Sequence, residues 1–496
     1  MFVGAGLAKA GTIYDWAPGP GSVVSWHPSP ASLAKARQAP VSAVPASYMQ
    51  AQHLRGFCEF AARGLEYSRL IMGTWDVPGR CDIRAMTYII NSHLRRHDTY
   101  RSWFEYDDAK HIVRRTIPDP ADIELVPTKH GEMTPKEWQG HVLATPSPLQ
   151  WDCFSFGVIQ HADHFTFYLI VDHVHTDPML MGVLYLEVYL MYHALVGGAP
   201  PIPLPPASSY GDYCVRQRQH TSTLSVDSPE VRKWVDFAEN NEGTLPDFPL
   251  PLGDASLPCG GDVVVEKLMD KRQTARFESA CVAAGARFSG GLFASAALAQ
   301  YQLTGAETYY GLTPTDKRST SAEFMTAGWF TGVIPFTVPV DATSFGNTAR
   351  AAQDSFDSNG ELANVPFDRV LELAPWLTRP GPNFTMLNYM DAGLPPLSAV
   401  VSSQLDGANA SAYVDANNPA HLYMTVGRVF DETSMAVFFP NNPVARESVR
   451  RYIEAMKSVC VRASEGRGAL APSRNGARNG THAQAHLGLK GVKVTS

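Results

Sequence analysis

Phe165-Thr-Phe-Tyr-Leu-Ile-Val171 is an unbroken apolar run that passes directly into Asp172-His173-Val174-His175-Thr176-Asp177 and, through Pro178, into the apolar stretch Met179 to Val196. The first run, rich in aromatic and β-branched residues, predicts a strand. Asp177 suits a helix cap, where a carboxylate accepts an amide proton, and Pro178 suits the first helical position, where its missing N–H costs nothing. Met179 to Val196 is interrupted by Glu187 and His193 and predicts a buried helix rather than a membrane span. Side chains at such a strand-to-helix junction face a crevice. Of the sixteen histidines, His173 alone has an acidic residue four positions on. That spacing arises by chance about once or twice in a chain of this composition, so its weight comes from its place at the junction.

Outward from this stretch, the chain of 496 residues is long enough for two domains with a core each. Two proline-rich passages, Gly197 to Pro206 and Leu245 to Leu252, bracket a polar helical segment and mark a crossover. The expected division is a first lobe over 1–200, a linker with helix over 201–262, a second lobe over 263–462 and a disordered tail over 463–496. The first lobe should open irregularly and continue with helices from Ala51 to Arg63 and from Asp82. Strands Arg101 to Tyr106 and His111 to Ile117 should form a hairpin about Asp107-Asp108. The second lobe should carry helices at Leu292 to Leu303, Asn347 to Phe356 and Phe367 to Leu373, and a last helix from Pro443 to about Arg462. Its strands are expected at Thr308 to Thr313, Val333 to Val340, Phe384 to Met390 and Leu422 to Phe430.

Composition narrows the function. A net charge of −7 gives no general attraction to nucleic acid or to an anionic membrane surface. The seven cysteines are scattered, with no pair at zinc-site spacing, and read as reduced thiols. Met1 to Asp15 lacks the pattern of an export signal, so the cytoplasm is the expected compartment. At the junction, His173, His175 and Asp177 admit two chemistries: a general base steadied by Asp177, or the first ligands of a two-metal hydrolase. The position after Asp177, where the metal pattern wants another histidine, is Pro178.

Taken with other segments, the junction resembles the chloramphenicol-acetyltransferase-like superfamily that includes condensation domains. Its core motif is a catalytic His, three residues, Asp and usually Gly. Ser47-Tyr48-Met49-Gln50, Arg96-His97-Asp98-Thr99-Tyr100-Arg101-Ser102-Trp103-Phe104, Tyr210-Gly211-Asp212-Tyr213, Gly328-Trp329-Phe330-Thr331-Gly332-Val333-Ile334-Pro335 and Val365-Pro366-Phe367-Asp368 follow in the family's order. Asp172 and Pro178 depart from the usual histidine and glycine. A second-lobe signature of Asp, Phe, Gly, Trp and Gly has only Tyr413-Val414-Asp415-Ala416-Asn417 as its counterpart. From about Asp15 to Arg462 the chain is most similar to mycobacterial polyketide-associated (Pap) acyltransferases of the trehalose-ester branch, which covers sulfolipid and diacyl- or polyacyltrehaloses.

The resemblance implies an α/β fold of two lobes, with mixed sheets, helices and an active site in a tunnel between them. It also implies transfer of a long acyl group from acyl-coenzyme A or a polyketide synthase to trehalose or an acyltrehalose, without cofactor or metal. His173 would be the catalytic base and acid, and Asp177 would position it through an arginine, with Arg101 or Arg96 as the candidate. Arg318, Trp329, Thr331 and Asn388 would line the substrate tunnel. Ordinary roles compete for several of these: Arg101 as a surface charge, His97 as a half-buried histidine, Trp329 as a core aromatic, Asn388 as a strand-end residue. A cytoplasmic enzyme is implied, with a peripheral place at the inner face of the plasma membrane and a lipid transporter there as further options. A metal-dependent hydrolase and a catalytically silent lipid-binding homologue stay open as alternatives.

Overall fold

The computed structural model describes residues 9–467, apart from 109–110, 255–256, 258, 382, 392, 394–408, 418–421 and 430. The run Phe165 to Val171 forms the fourth strand, His164–Asp172, of a seven-stranded sheet. The sheet order is Lys9–Thr12, Ser411–Val414, Leu70–Pro78, His164–Asp172, Phe154–Gln160, Ser22–Pro28, Leu125–Glu132. Only the first pair is parallel. The run is continuously apolar because both faces of this central strand are covered. Phe165, Phe167, Leu169 and Val171 pack under the helices Ile83–Arg96 and Leu180–Leu184, while Tyr168 and Ile170 pack with Trp138 and Val142 of the helix Pro135–Leu143.

Asp82 caps its helix as expected, accepting from the amides of Arg84 at 2.9 Å and Ala85 at 3.0 Å, and Met86, Ile90 and Leu94 are buried. The hairpin Ser102–Asp108 with His111–Thr116 stands as a separate two-stranded sheet. From Lys9, where the described residues begin, the opening segment is not irregular: Lys9–Thr12 and Ser22–Pro28 are strands and Pro30–Arg37 a helix.

The second lobe is built on a four-stranded sheet in the order Thr385–Asp391, Leu422–Val429, Glu432–Pro440, Gly261–Met269, and on the ribbon of Thr308–Asp316 and Thr331–Pro339. The helix Phe288–Thr304 runs through its core, buried from Gly290 to Ala299 and apolar all round. Gly291 permits that depth, since a Cβ there would meet Cys281 Sγ at 2.2 Å. Gly261–Met269 straddles residue 262, and Ser411–Val414 leaves the second lobe to pair with Leu70–Pro78 in the first. The last helix runs from Pro443 to Ser464, and most of the expected tail, 468–496, lies outside the described residues. Among the described residues no single helix is long and apolar enough to cross a membrane.

Candidate active site between the lobes

The central strand ends at Asp172, and the chain turns through the short 3-10 segment His173–His175 before the regular helix begins at Leu180. Three groups fix this turn. Asp172 Oδ1 accepts from the Val174 amide at 3.0 Å, Gln50 Nε2 donates to the Val174 carbonyl at 2.9 Å, and the His173 amide donates to the Arg69 carbonyl at 2.8 Å. The Asp172 carboxylate is fully buried between His53 Nε2, at 2.8 Å, and the Arg69 guanidinium, at 3.0 Å. Burial works to raise its pKa, but the charges of His53 and Arg69 outweigh it and hold the group below the usual range.

Asp177 is the centre of a second network that joins the lobes. Its Oδ2 lies 2.8 Å from one terminal nitrogen of Arg318 and its Oδ1 3.1 Å from the other, a bidentate pair in which both side chains are almost wholly buried. Oδ2 also accepts from the Phe330 amide at 2.9 Å and Oδ1 from the Met179 amide at 3.0 Å; the helix itself starts at Leu180 with Met179 at its N-cap, so Asp177 fixes the turn before the helix rather than capping it as expected. The remaining Arg318 protons reach the carbonyls of Glu323 and Thr326, at 3.0 and 3.1 Å, and the Asp316 carboxylate, at 3.2 Å.

This corrects the expected partner of Asp177. Among the described residues Arg101 reaches only the Pro118 carbonyl, at 3.4 Å. Arg96 faces Glu187 at 2.7 Å and the Pro205 carbonyl. Both arginines belong to the second motif, of which Arg96 and His97 hold the buried Glu187. His93 Nδ1 and His97 Nε2 meet the same carboxylate at 2.8 and 2.9 Å. His97 is fully buried rather than half-buried, and its Nδ1 accepts from the Ala327 amide, which leaves Nε2 to donate.

The His173 imidazole stacks on Trp329, with centroids 3.9 Å apart and planes at 27°. Both face a cavity of about 1130 Å³ lined by residues of the two lobes, including Pro178, Arg318, Thr331 and Asn388. Thr331 pairs with Asp316 at the ribbon's end, and Asn388 lies mid-strand, opposite Thr425, rather than at a strand end. Gly328 allows Trp329 to sit there, because a Cβ at this position would meet the Tyr210 ring at 2.5 Å. The Tyr210 hydroxyl contacts Ser47 Oγ at 3.0 Å and the Trp329 carbonyl at 3.2 Å, so the opening, third and fourth motifs close on one another.

Burial, reinforced by the neighbouring His53, draws the His173 pKa down to about 3, so the imidazole is neutral near pH 7 and has a lone pair to offer. Loss of the neutral form as pH falls should therefore occur below the ordinary histidine value. A profile of kcat/KM against pH is expected to stay flat through about 6.5; an acid limb centred at or above that value would contradict the burial seen here.

His175 is turned away, its Nδ1 meeting Thr99 Oγ1 at 3.0 Å. Among the described residues, two groups bring three or more metal-binding atoms together, and His173, His175 and Asp177 form neither. With both oxygens of Asp177 held by Arg318, the hydrolase ligand set is not assembled.

Residues 60–404 match the condensation-domain family model. The chain is 56% identical over 460 residues to Acyltransferase PapA3 of Mycobacterium tuberculosis, covering 93% of this chain and 98% of that protein. It is 58% identical over 461 residues to the 2'-acyl-2-O-sulfo-trehalose (hydroxy)phthioceranyltransferase PapA1 of Mycobacterium bovis, covering 93% and 90%. A solved structure of PapA2 acyl transferase superposes with a TM-score of 0.89 at 56% identity, covering 92% of this chain and all of that one. The chain belongs to the Pap acyltransferases.

Within this Pap acyltransferase, several site residues carried no legible signal. His53 lies three residues past Gln50 on the helix Tyr48–Ala62, and its pairing with Asp172 spans 119 positions. Arg69 precedes a strand with no motif about it. The Tyr413–Asn417 stretch is the Ser411–Val414 strand followed by Asp415, whose buried carboxylate accepts from Ser68 Oγ at 2.7 Å and from the amides of Arg69 and Leu70 at 3.0 and 3.1 Å. It fastens the inserted strand beside the residue that holds His173.

Proposed function

We propose that this acyltransferase moves a long-chain fatty acyl or polyketide acyl group from a thioester, acyl-coenzyme A or a polyketide synthase, to a hydroxyl of trehalose or an acyltrehalose. The product would be a glycolipid of the mycobacterial cell envelope. The observation that carries this reading is a neutral histidine on the wall of a cavity larger than the roughly 300–1,000 Å³ of ordinary small-molecule sites. Leu312, Val333, Phe356, Met386 and Phe438 give it apolar wall for an acyl chain, while the exposed lining residues Gln52, Glu59 and Arg63 mark a polar opening suited to a sugar.

In this mechanism the His173 imidazole takes the proton of the sugar hydroxyl as its oxygen attacks the thioester carbonyl. The tetrahedral intermediate then expels the thiolate, and the imidazolium returns that proton to the departing sulfur. Ester and thiol are the products, with no covalent acyl-enzyme and no metal or other cofactor. Asp177 and Arg318 act through the backbone that bears His173. The reaction is assigned to the cytoplasm, at the inner face of the plasma membrane, where a lipid transporter would receive the product. The names of PapA1 and PapA3 support the class of reaction, and that of PapA1 the sugar.

Trehalose, a monoacyltrehalose, sucrose and a long-chain diol offered under one donor should yield acylated trehalose products by mass spectrometry. Preferred acylation of the diol with both trehalose acceptors inert would replace the sugar assignment. Lengthening the donor chain should lower its KM by about fourfold per methylene until the cavity is filled, the equivalent of ~0.8 kcal/mol each.

A further inference from the structure

A cluster of three histidines sits on the first lobe away from the cavity, on the strands Ser22–Pro28 and Leu125–Glu132 and the helix Pro135–Leu143. Along the strand pair Val23 faces Gly131 and Val24 faces Lys129, which leaves His130 as an extra, unpaired residue. This is a β-bulge, a device that re-aims a side chain, and Gly131 completes it with φ +76°, a conformation glycine adopts without strain. The bulge turns His130 onto the face that carries Ser25 and His27, and the helix lays His141 against the same point. Ring centroids are 6.1 Å apart for His27 and His130, 5.7 Å for His27 and His141, and 4.8 Å for His130 and His141. Nε2 of His27 and Nε2 of His130 each lie 2.6 Å from Ser25 Oγ.

We propose that His27, His130 and His141 form a binding site for a divalent cation of the zinc class, clipping the helix Pro135–Leu143 to the edge of the seven-stranded sheet. One ring nitrogen from each residue lies within 4.8 Å of the other two. A tetrahedral zinc with bonds of 2.0–2.1 Å needs about 3.3 Å between nitrogens, so closure takes ring movements of an ångström or so. All three side chains are partly exposed, the movement exchanges the Ser25 Oγ contacts of His27 and His130 for the ion, and solvent can supply the fourth ligand. Imidazole suits zinc, cobalt and nickel, and the Asp152 carboxylate is near enough to His27 to act on its charge. The other cluster, His93, His97 and Glu187, offers no such room: it is fully buried and its carboxylate is already shared with the Arg96 cation. None of the three histidines lines the cavity at His173, so the ion takes no part in acyl transfer.

The test begins with the full chain stripped by a chelator and dialysed against zinc chloride or cobalt chloride. One equivalent of zinc per chain is expected, with a melting temperature several degrees above that of the stripped protein. The cobalt form should show tetrahedral d–d absorption without a thiolate charge-transfer band. His130→Ala and His141→Gln should each weaken zinc binding at least tenfold, and acyl transfer should be the same with and without the ion. His141→Gln keeps the helix Pro135–Leu143 intact, so it reports on binding rather than folding. Absence of stoichiometric binding by the wild-type chain, binding that survives both substitutions, or a thiolate band would overturn the proposal.

Discussion

Replacing His173 with alanine should lower acyl transfer by about 10²–10⁴-fold while leaving the melting temperature close to that of the parent, because the imidazole supplies the proton transfer and little of the packing. It stacks on Trp329 at 3.9 Å but lines an open cavity, so its loss leaves no sealed void in either core. The neighbouring imidazoles cannot replace it. His175 faces Thr99, and His53, whose centroid is 6.1 Å from that of His173, is tied to Asp172. Single-turnover acylation of trehalose by a correctly folded variant measures the effect, and near-normal turnover would sink the mechanism.

The second large effect falls on stability. Arg318→Ala should destabilise the protein by about 3–5 kcal/mol, because it strands the buried carboxylate of Asp177 without its cation. Urea denaturation followed by fluorescence would read it. The double variant Asp177→Ala with Arg318→Ala should lose less than the sum of the two single losses, since the second change removes the charge that the first left unpaired. Arg101→Ala should fall within about 0.5 kcal/mol of the parent, as its only hydrogen bond among the described residues is a long one to the Pro118 carbonyl. Additive losses, or an Arg101 effect as large as that of Arg318, would return the pairing to the second motif.

Legibility in the sequence followed the range of the interactions. The central strand, the capped helix after Asp82, the hairpin and the place of His173 at the end of a strand rest on neighbours within a few residues, and each leaves a local pattern. The partner of Asp177 does not, for Arg318 is 141 positions away and carries no motif of its own. Membership of the second motif points to Arg101 and Arg96, whereas the sequence about Arg318 suggests no more than tunnel lining. It does border the cavity, but its guanidinium is turned into the wall. The pairing of His53 with Asp172 was hidden for the same reason. The strand Ser411–Val414 is four residues long and borrows both its neighbours from distant chain, and Ser22–Pro28 mixes His, Trp and Pro in no alternating pattern. Neither has a periodicity to detect.

The inserted strand also constrains how the protein can be made. A ribosome releases Leu70–Pro78 long before Ser411–Val414, the segment that covers its flank, has been synthesised. Until then the first lobe presents an unpaired edge of apolar strand, the kind of surface on which nascent chains aggregate. The last step of sheet assembly therefore comes late in synthesis, closing only when most of the second lobe has emerged. Expressing the lobes as separate polypeptides should yield an insoluble first half that dissolves when the second is supplied in trans.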